Sequence, residues 1–594
     1  MAIKCINSRV CVLALFTISS TSYASSQFAQ VSLDLTHDKA QYQAALSDIL
    51  EFSELVHRVR YYYPSHAVSN TQWENFLEHS ISKMVEAPTT ERLDTGLSLL
   101  KQVAPHIYRS VDQLPIFSDT DVVNTWINIG ARTMNGNFRA LQTFEYGNIS
   151  NWEVTSKRQV YDDVYAGQPI FWPLYLEYQQ GLKGQAYTAS NLSTSLASPP
   201  KCMAALSMIW GETNHFWPYF EQVPLNWKNS HENLLAACTG DAKNIEREVQ
   251  REFTKLQDNH LFILLPAQFS KFGDYRLPLD LEYIEGKAIL SKKTHYLTLQ
   301  ADIGDELIAI DDVSVEDLIN AELGKTFRSP HVEKRTAVSR FHRSYKTPEL
   351  VKLTFKKLSG EIFTTTTGTV HKDVMGPLHD HRPDQPLLEE LGDGVVLFRL
   401  FKMTDEAALE QAVEVLKSAK GIVLDMRNYP SNFSLTLRFL SYFTDKLTTV
   451  GPFIVAAQRL PEQADSFVLS EPPRLPNTEK LFNVPTVVMS ERKNQSAGEH
   501  MLMFVQSMGF PIIGEVTTGI NGDIMVGEVF KGDNDSAITY VYTSKRSDQV
   551  DGSKLIGVGI QPDHLVPVTQ VSFATNSDIQ LEKARQVLDD MMGN

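Results

Sequence analysis

The sequence has no apolar run long enough to cross a membrane and no excess of positive charge. A bilayer-spanning helix needs about 20 apolar residues, but the run near the N-terminus extends only from Val10 to Ile18. Acidic residues outnumber basic ones, and the formal net charge is -16. Because phosphate backbones bind to basic surfaces, nucleic acid is not an expected partner. We also expect no membrane span in the mature chain.

The sequence also lacks the spacing of a metal site. Its 16 histidines are scattered and do not combine with cysteines at the intervals that hold zinc. No glycine-rich loop precedes a helix in the pattern that cradles phosphate groups. The sequence therefore predicts neither a metal nor a cofactor.

The first 24 residues have the layout of a cleaved secretory leader. Lys4 and Arg9 come first, the apolar run follows, and a small-residue ending closes at Ala24, as in signal peptides. We expect cleavage after Ala24 and a mature chain that is periplasmic or secreted in a bacterium.

Cysteine is scarce, with only four residues in the chain. Cys5 and Cys11 belong to the leader, so Cys202 and Cys238 remain. An oxidising compartment permits a disulfide between them, and two buried thiols are the alternative.

Two segments of the chain resemble each other. In both, a tryptophan follows a proline at the same distance along the chain. The pairs are Pro64 with Trp73 and Pro218 with Trp227. Helix-period apolar residues flank each segment, so each is predicted to be a helical hairpin within a partial duplication. A chance match between two aromatic turns is the alternative.

The length of 594 residues exceeds the size of a single core, and the patterns predict a multidomain α/β plus β fold. Short β-rich runs between Asn and Gly turns predict an inserted β-module. In the C-terminal third, strands rich in β-branched residues alternate with helices, which predicts a parallel sheet. The functional residues are then expected at the ends of the strands. The predicted parts are a leader (1–24), an N-terminal helical domain (25–117), the β-module (118–198), a second helical segment (199–270), a β-rich domain (271–375) and a C-terminal βαβ domain (385–594).

Ser496 is the strongest candidate for a catalytic residue. It follows the apolar run Val487-Val488-Met489 and opens a predicted helix. A hydroxyl at a helix N-terminus lies beside unpaired N–H groups that can stabilise an oxyanion. A plain N-cap serine is the alternative.

Four motifs occur in an order that is typical of one protease family. They are Asp425-Met426-Arg427-Asn428-Tyr429-Pro430, Ser496-Ala497-Gly498-Glu499, Gly514-Glu515-Val516-Thr517-Thr518-Gly519 and Gly559-Ile560-Gln561-Pro562-Asp563. This order resembles the C-terminal-processing, or tail-specific, serine peptidases. Leu256-Gln257-Asp258-Asn259-His260 is similar to the L-x-D-x-H of their tricorn-like, histidine-based branch. The string at 304–312 resembles part of a PDZ domain, which makes 271–375 PDZ-like and 385–594 a crotonase-like protease core.

The resemblance implies roles for four residues. Ser496 would be the nucleophile and His260 its general base. The backbone N–H groups of Ala497 and Ser431 would be the oxyanion donors. His500, one helical turn after Ser496, is a competing base, although a core-facing histidine is the more typical interpretation at that position.

Several positions depart from the family pattern. Ile520 stands where the serine/lysine branch has its lysine, which favours the histidine-based branch. Ile556 stands where that branch has the acid that orients histidine, and Asp551 is a candidate to replace it. Ser431 and Asn432 replace the two glycines of the oxyanion loop.

The sequence thus predicts an exported serine-type endopeptidase that hydrolyses unfolded or tail-exposed polypeptides through an acyl-enzyme. The PDZ-like part would hold an extended chain by strand addition. A catalytically impaired member that binds peptides or acts as a scaffold is the alternative. Polysaccharide binding through the β-module is a third hypothesis, from composition alone.

Overall fold

The structure is a computed structural model. It describes residues 39–118, 121–134, 137–148, 159–188, 195–270, 272–294, 299–343, 345–379, 385–456, 467–469, 471–477, 479–533 and 536–593. The predicted leader lies outside these residues. None of the helices in the described part is both long and apolar enough to cross a membrane.

The N-terminal part is built around two helical hairpins. In α1 (Leu46–Tyr62) the apolar side chains Ile49, Phe52 and Val56 recur at helical spacing and are fully buried. The helix ends two residues before Pro64, whose ring disfavours helical backbone in the residue before it. The other helices of this part are α2 (His66–Asn70), α3 (Trp73–Glu86), α4 (Arg92–Val103), α5 (Tyr178–Gly181), α6 (Pro199–Phe216), α7 (Trp227–Ala237) and α8 (Ala242–Thr254).

The second hairpin has helix boundaries that match those of the first. Like α1, α6 ends two residues before a proline, and α3 and α7 both begin at tryptophan. A disulfide joins Cys202 in α6 to Cys238 just after α7, with 5.6 Å between the Cα atoms. The structure therefore contains the disulfide and not the two buried thiols that were the alternative.

Two antiparallel β-hairpins lie between the helical hairpins. β1 (Val122–Met134) pairs with β2 (Asn137–Asn148), and β3 (Val160–Tyr165) pairs with β4 (Gln168–Pro173). Tyr165 and Trp172 are buried in the same apolar core as the helices. This β-rich stretch is therefore packed onto the helical part.

A six-stranded antiparallel sheet follows, in the order β12-β11-β9-β8-β7 with β10 attached to β9. Its core contains Leu281, Leu290 and Leu353. The strands of this region are β6 (Tyr275–Arg276), β7 (Leu279–Ile284), β8 (Lys287–Lys293), β9 (Glu306–Ile310), β10 (Val313–Ser314), β11 (Leu350–Lys356), β12 (Ile362–Gly368) and β13 (Val370–His371), and its helices are α9 (Val315–Glu322) and α10 (Pro330–Arg340).

The C-terminal part contains a second six-stranded sheet, in the order β14-β15-β16-β19-β20-β24, in which only β14 is antiparallel. Alternate residues of its central strands enter two apolar cores, one on each face. This sheet confirms the predicted mixed α/β class. Its strands are β14 (Leu388–Glu390), β15 (Val395–Arg399), β16 (Gly421–Asp425), β19 (Thr486–Ser490), β20 (Ile512–Gly514) and β24 (His564–Leu565), and the helices are α11 (Glu406–Leu416), α12 (Phe433–Ser441), α13 (Ala497–Met508), α14 (Gln570–Thr575) and α15 (Ile579–Met592).

Two three-stranded sheets complete the fold. One has the order β21-β22-β5, and the other β18-β17-β23. The core formed by the N-terminal helices also contains Ile538, Tyr540 and Tyr542 of β22. The N-terminal helices and β22 therefore share one core. The strands are β5 (Phe262–Leu264), β17 (Ile454–Ala456), β18 (Phe467–Leu469), β21 (Ile524–Val529), β22 (Ile538–Thr543) and β23 (Lys545–Arg546).

Candidate active site

Ser496 occupies a strained turn between β19 and α13. Its backbone angles are φ 55° and ψ -121°, a region that residues other than glycine rarely adopt. Its N–H donates to the carbonyl of Ile520 at 2.8 Å, which holds the turn in place. Strained strand-to-helix turns of this kind expose a nucleophilic serine in other hydrolases.

Ala497 is the first residue of α13. In the described part of the chain no acceptor takes its backbone N–H. Unpaired N–H groups at a helix start carry partial positive charge, so this group can stabilise an anion formed at a carbonyl beside Ser496.

Asn494 connects three of the four motifs. Its Nδ2 donates to the carbonyl of Met426 at 2.9 Å, and its Oδ1 accepts from the N–H of Glu491 at 2.7 Å. Its own carbonyl accepts from the N–H of Thr518 at 2.9 Å. The end of β16, the serine turn and the turn after β20 are therefore held together.

Glu499 secures the turn after β20 from inside. Its carboxyl accepts from the N–H groups of Gly519 at 2.7 Å and Ile520 at 2.8 Å and from the hydroxyl of Thr517. Burial raises the pKa of Glu499 to about 7, although these donors favour the charged form. Because Ile520 also accepts from Ser496, and the Ser496 backbone acts on the carboxyl as well, Glu499 helps to fix the position of the serine.

Two glycines of the third motif allow close backbone packing. Gly514 has φ 142°, and a Cβ there would lie 1.9 Å from the carbonyl oxygen of Ser490. Gly519 has φ 81°, and a Cβ would lie 2.7 Å from the nitrogen of Gly559 in the fourth motif. The hydroxyl of Thr517 accepts from the N–H of Ile560 at 2.7 Å. The third and fourth motifs are thus packed backbone to backbone.

His260 lies in a turn just before β5. Its Nδ1 is 2.9 Å from Oγ1 of Thr543 at the end of β22. The hydroxyl of Thr543 donates to Oδ1 of Asp258 at 2.8 Å. A chain of two hydrogen bonds therefore runs from the imidazole through a hydroxyl to a buried carboxylate.

The donors around Asp258 decide which nitrogen of His260 carries the proton. The Asp258 carboxylate also accepts from the backbone N–H groups of His260 and Thr543 and from the indole of Trp217. Since the Thr543 proton points to Asp258, its oxygen must accept from Nδ1 of His260. Nε2 is then the unprotonated nitrogen, and within the described residues this buried atom has no partner.

The surroundings keep His260 neutral. Burial is the largest cause that lowers its pKa below the ordinary value, and the charge of Arg328 adds to it, while Asp258 and Asp523 oppose it. A neutral imidazole with a free Nε2 has the form that a general base needs.

His260 and Ser496 are joined through a short path of backbone and side chain. Asn259, next to His260, donates from Nδ2 to the carbonyl of Thr518 at 2.8 Å. The N–H of Thr518 donates to Asn494, two residues before Ser496. The structure does not contain a hydrogen bond between the Ser496 hydroxyl and Nε2 of His260.

Two other predicted site residues lie apart from this chain of bonds. Asp551 is exposed in a turn, where its carboxylate accepts from the N–H of Ser553 at 2.9 Å, and it makes no contact with His260. Ser431 is exposed after β16, and its hydroxyl donates to the carbonyl of Phe401. Ile520 and Ile556 are fully buried in the N-terminal core.

The competing base His500 lies within an aromatic cluster. Its ring stacks between Phe433 and Phe453, with centroids at 5.8 and 5.5 Å. Nδ1 accepts from Nδ2 of Asn521 at 3.2 Å. Burial lowers the pKa of His500 to about 4, so this histidine is part of the packing behind the serine turn.

Sequence reasoning did not assign a role to Asp258 or Thr543. Asp258 belongs to the L-x-D-x-H string, so its spacing was a usable signal. Thr543 lies 285 residues further on, and nothing in the local sequence distinguishes it from other strand threonines. In the described part of the chain no group of three acidic, His or Cys side chains could hold a metal ion.

Comparison with known proteins shows which folds and sequences this chain resembles. No curated protein matches the sequence. The solved structure of mature CPAF complexed with lactacystin is similar, with a TM-score of 0.54 at 12% identity, covering 67% of this chain and 100% of that one. A second structure of mature CPAF has a TM-score of 0.52 at 12% identity, covering 67% and 97%. At such identity the likeness concerns the fold alone.

The sequence match is narrower and more informative. Residues 394–566 match the family described as Peptidase family S41. All four motifs that meet at Ser496 lie within this range, and His260 lies before it. Residues 394–566, which contain the four motifs, therefore match peptidase family S41, as the motifs indicated.

Proposed function

We propose that this protein is a serine-type endopeptidase in which Ser496 is the nucleophile and His260 the general base. The observation that carries the proposal is the bond chain from His260 through Thr543 to Asp258, which leaves Nε2 unprotonated. The strained turn at Ser496 supports it independently.

The proposed reaction begins with attack of the Ser496 hydroxyl oxygen on a peptide carbonyl carbon. Nε2 of His260 takes the hydroxyl proton, and the imidazolium keeps its Nδ1–H bonded to Thr543. The carbonyl oxygen gains negative charge, which the N–H of Ala497 stabilises, with the N–H of Ser431 as the proposed second donor.

Collapse of the tetrahedral intermediate breaks the C–N bond. His260 returns its proton to the leaving amine, and an ester joins the acyl group to Ser496. Water then attacks this acyl-enzyme, gives a proton to His260 and releases a carboxylic acid as the serine recovers its proton.

We propose that Asp258, acting through Thr543, performs the orienting role for which Asp551 was a candidate. Asp258 is buried and anchored by backbone donors, whereas Asp551 is exposed. A buried carboxylate with fixed donors holds a histidine tautomer more firmly than one in a solvated turn.

The antiparallel sheet β7 to β12 is proposed to be a PDZ-like module that holds substrate. Its end strands β7 and β12 are the places where an extended polypeptide could add as a further strand. Unfolded or tail-exposed chains are the proposed substrates, because only an extended segment can pair in this way.

Export to the periplasm or outside the cell is proposed from the leader at residues 1–24. The Cys202–Cys238 disulfide supports an oxidising compartment. Sequencing the N-terminus of the mature protein tests this, and retention of Met1 would contradict it.

The second candidate function is a peptide-binding protein without catalysis. The absence of a hydrogen bond between Ser496 and His260 favours it, although catalytic hydrogen bonds in free enzymes are often long. This candidate keeps the peptide-holding sheet and gives no role to Nε2.

Cleavage of an unfolded protein by the purified mature chain tests the two candidates. We expect cleavage and covalent labelling of Ser496 by a serine-directed phosphonate, with both lost in Ser496→Ala and His260→Ala. Ser434→Ala, at an exposed serine of α12, and His564→Ala are matched controls that should retain both. A parent protein that neither cleaves nor reacts would favour the peptide-binding candidate.

A further inference from the structure

Arg328 is a cation beside His260 that has no acidic partner. Its guanidinium Nη1 donates to the carbonyls of Leu261 at 3.0 Å and Phe327 at 3.2 Å. Among the described residues no carboxylate forms an ion pair with it. The residue is partly buried, and in the described part of the chain its guanidinium makes no hydrogen bonds beyond these two.

The backbone on either side holds Arg328 against the site. Phe327 has φ 54°, a strained value for a bulky residue, and its N–H donates to Thr254. The N–H of Ser329 donates to Oδ1 of Asn259 at 2.9 Å. Since Asn259 and Leu261 flank His260, the guanidinium is placed close to the general base, and strain of this kind is typical of functional positions.

The charged groups near Arg328 do not neutralise it. The charge of Asp258 acts on Arg328, but that carboxylate already accepts from four donors. Arg335 and Arg340 add positive charge. Burial lowers the pKa of Arg328 to about 10, so the guanidinium stays charged at neutral pH. In a chain of net charge -16, this is a localised positive site.

We infer that Arg328 binds a carboxylate of the polypeptide substrate near the scissile bond and makes the enzyme prefer acidic sequences. A guanidinium binds a carboxylate through two parallel N–H···O bonds, whereas an amide offers it a single oxygen. The inference rests on the proposed function, because it assigns a substrate preference to the same site.

The carboxylate can come from an Asp or Glu side chain or from the end of a chain. Both sources offer the same two oxygens to the guanidinium. Three peptides of one sequence distinguish them: an amidated peptide with an internal Glu, its Glu→Gln counterpart, and the Gln peptide with a free C-terminal acid.

The test measures binding of these peptides to Ser496→Ala by fluorescence anisotropy, with the single Glu placed in turn at each of eight consecutive positions. We expect at least one acidic peptide to bind about 10- to 100-fold more tightly than the neutral one, the range for a hydrogen bond to a charged group. When Arg328→Gln is added to Ser496→Ala, the ratio of the affinities for the acidic and the neutral peptide should come close to one. Arg328→Lys in the same background should restore part of the preference.

The matched control is Lys334→Gln, which removes a positive charge from an exposed position of α10. The affinity ratio should be unchanged in this variant. Equal affinity for acidic and neutral peptides, or no measurable binding of either, overturns the inference. Because Ser496→Ala needs no turnover, this result is independent of whether the parent protein cleaves.

Discussion

The hydroxyl of Thr543 decides which nitrogen of His260 carries a proton. Thr543→Val removes that hydroxyl with little change in shape, so Nδ1 loses its acceptor. We expect kcat/KM for a peptide to fall about 100-fold, as for the loss of acid–base catalysis. Thr543→Ser, which keeps the hydroxyl, should retain most of the activity. Steady-state kinetics on both variants, with circular dichroism to check folding, measures the difference.

The same pair of variants predicts a change in pH dependence. Because burial lowers the pKa of His260, the wild-type rate should fall only below pH 6.5, where the protonated imidazole can no longer accept the serine proton. In Thr543→Val the imidazolium loses the acceptor that stabilises it, so the midpoint should move to still lower pH. A pH–rate profile with an unchanged midpoint would mean that Thr543 acts only on folding.

At the scale of elements, Glu499 ties α13 to the turn after β20. Its pKa is raised to about 7 in the fold from an ordinary value near 4.5, so its contribution to stability is lost as pH rises between these values. Between pH 4.5 and pH 7 the free energy of unfolding of the wild type should fall by about 1 to 3 kcal/mol relative to that of Glu499→Gln. Thermal unfolding midpoints at pH 5 and pH 8 measure this.

Glu410→Gln, at an exposed position of α11, is the control for that experiment. It should follow the wild type at both pH values. If the wild type and Glu499→Gln changed in parallel with pH, the carboxyl would not titrate in the fold as proposed.

The disulfide connects α6 to the segment after α7 across 36 residues. Closing a loop of this length restricts the unfolded chain, which corresponds to about 3 to 4 kcal/mol of stability. Replacing both Cys202 and Cys238 with alanine should lower the urea midpoint accordingly. A reductant should have the same effect on the wild type and none on the double variant.

At the scale of the whole molecule, one buried contact joins the N-terminal helices to β22. Glu212 of α6 accepts from the hydroxyl groups of Tyr540 at 2.6 Å and Tyr542 at 3.3 Å. Both tyrosines lie in β22, the strand that ends at Thr543. The N-terminal part therefore supports the strand that orients His260.

Tyr540→Phe removes the shorter of these bonds and leaves the Glu212 carboxyl with one donor fewer in a buried place. We expect the free energy of unfolding to fall by about 1 to 3 kcal/mol, with a smaller loss in kcat/KM. Tyr178→Phe, at a tyrosine of α5 that is 47% exposed, should change neither. Identical urea midpoints for wild type and Tyr540→Phe would show that the contact does not stabilise the fold.

The sequence was sufficient to locate the serine turn and its surroundings. The four motifs are short strings, so residue types at fixed local spacing were enough to find them. The alternation of apolar strands and helices also predicted the mixed α/β class, because both periodicities are properties of a short window.

The sequence by itself thus determined the elements of the C-terminal sheet and the family of its motifs. Only the tertiary structure decided that His260 is oriented through Thr543, that Asp551 stands apart, and that β22 lies in the core of the N-terminal helices. The physical reason is distance along the chain: Asp258 and Thr543 are separated by 285 residues, and a hydrogen bond between them exists only after these two distant segments have packed together.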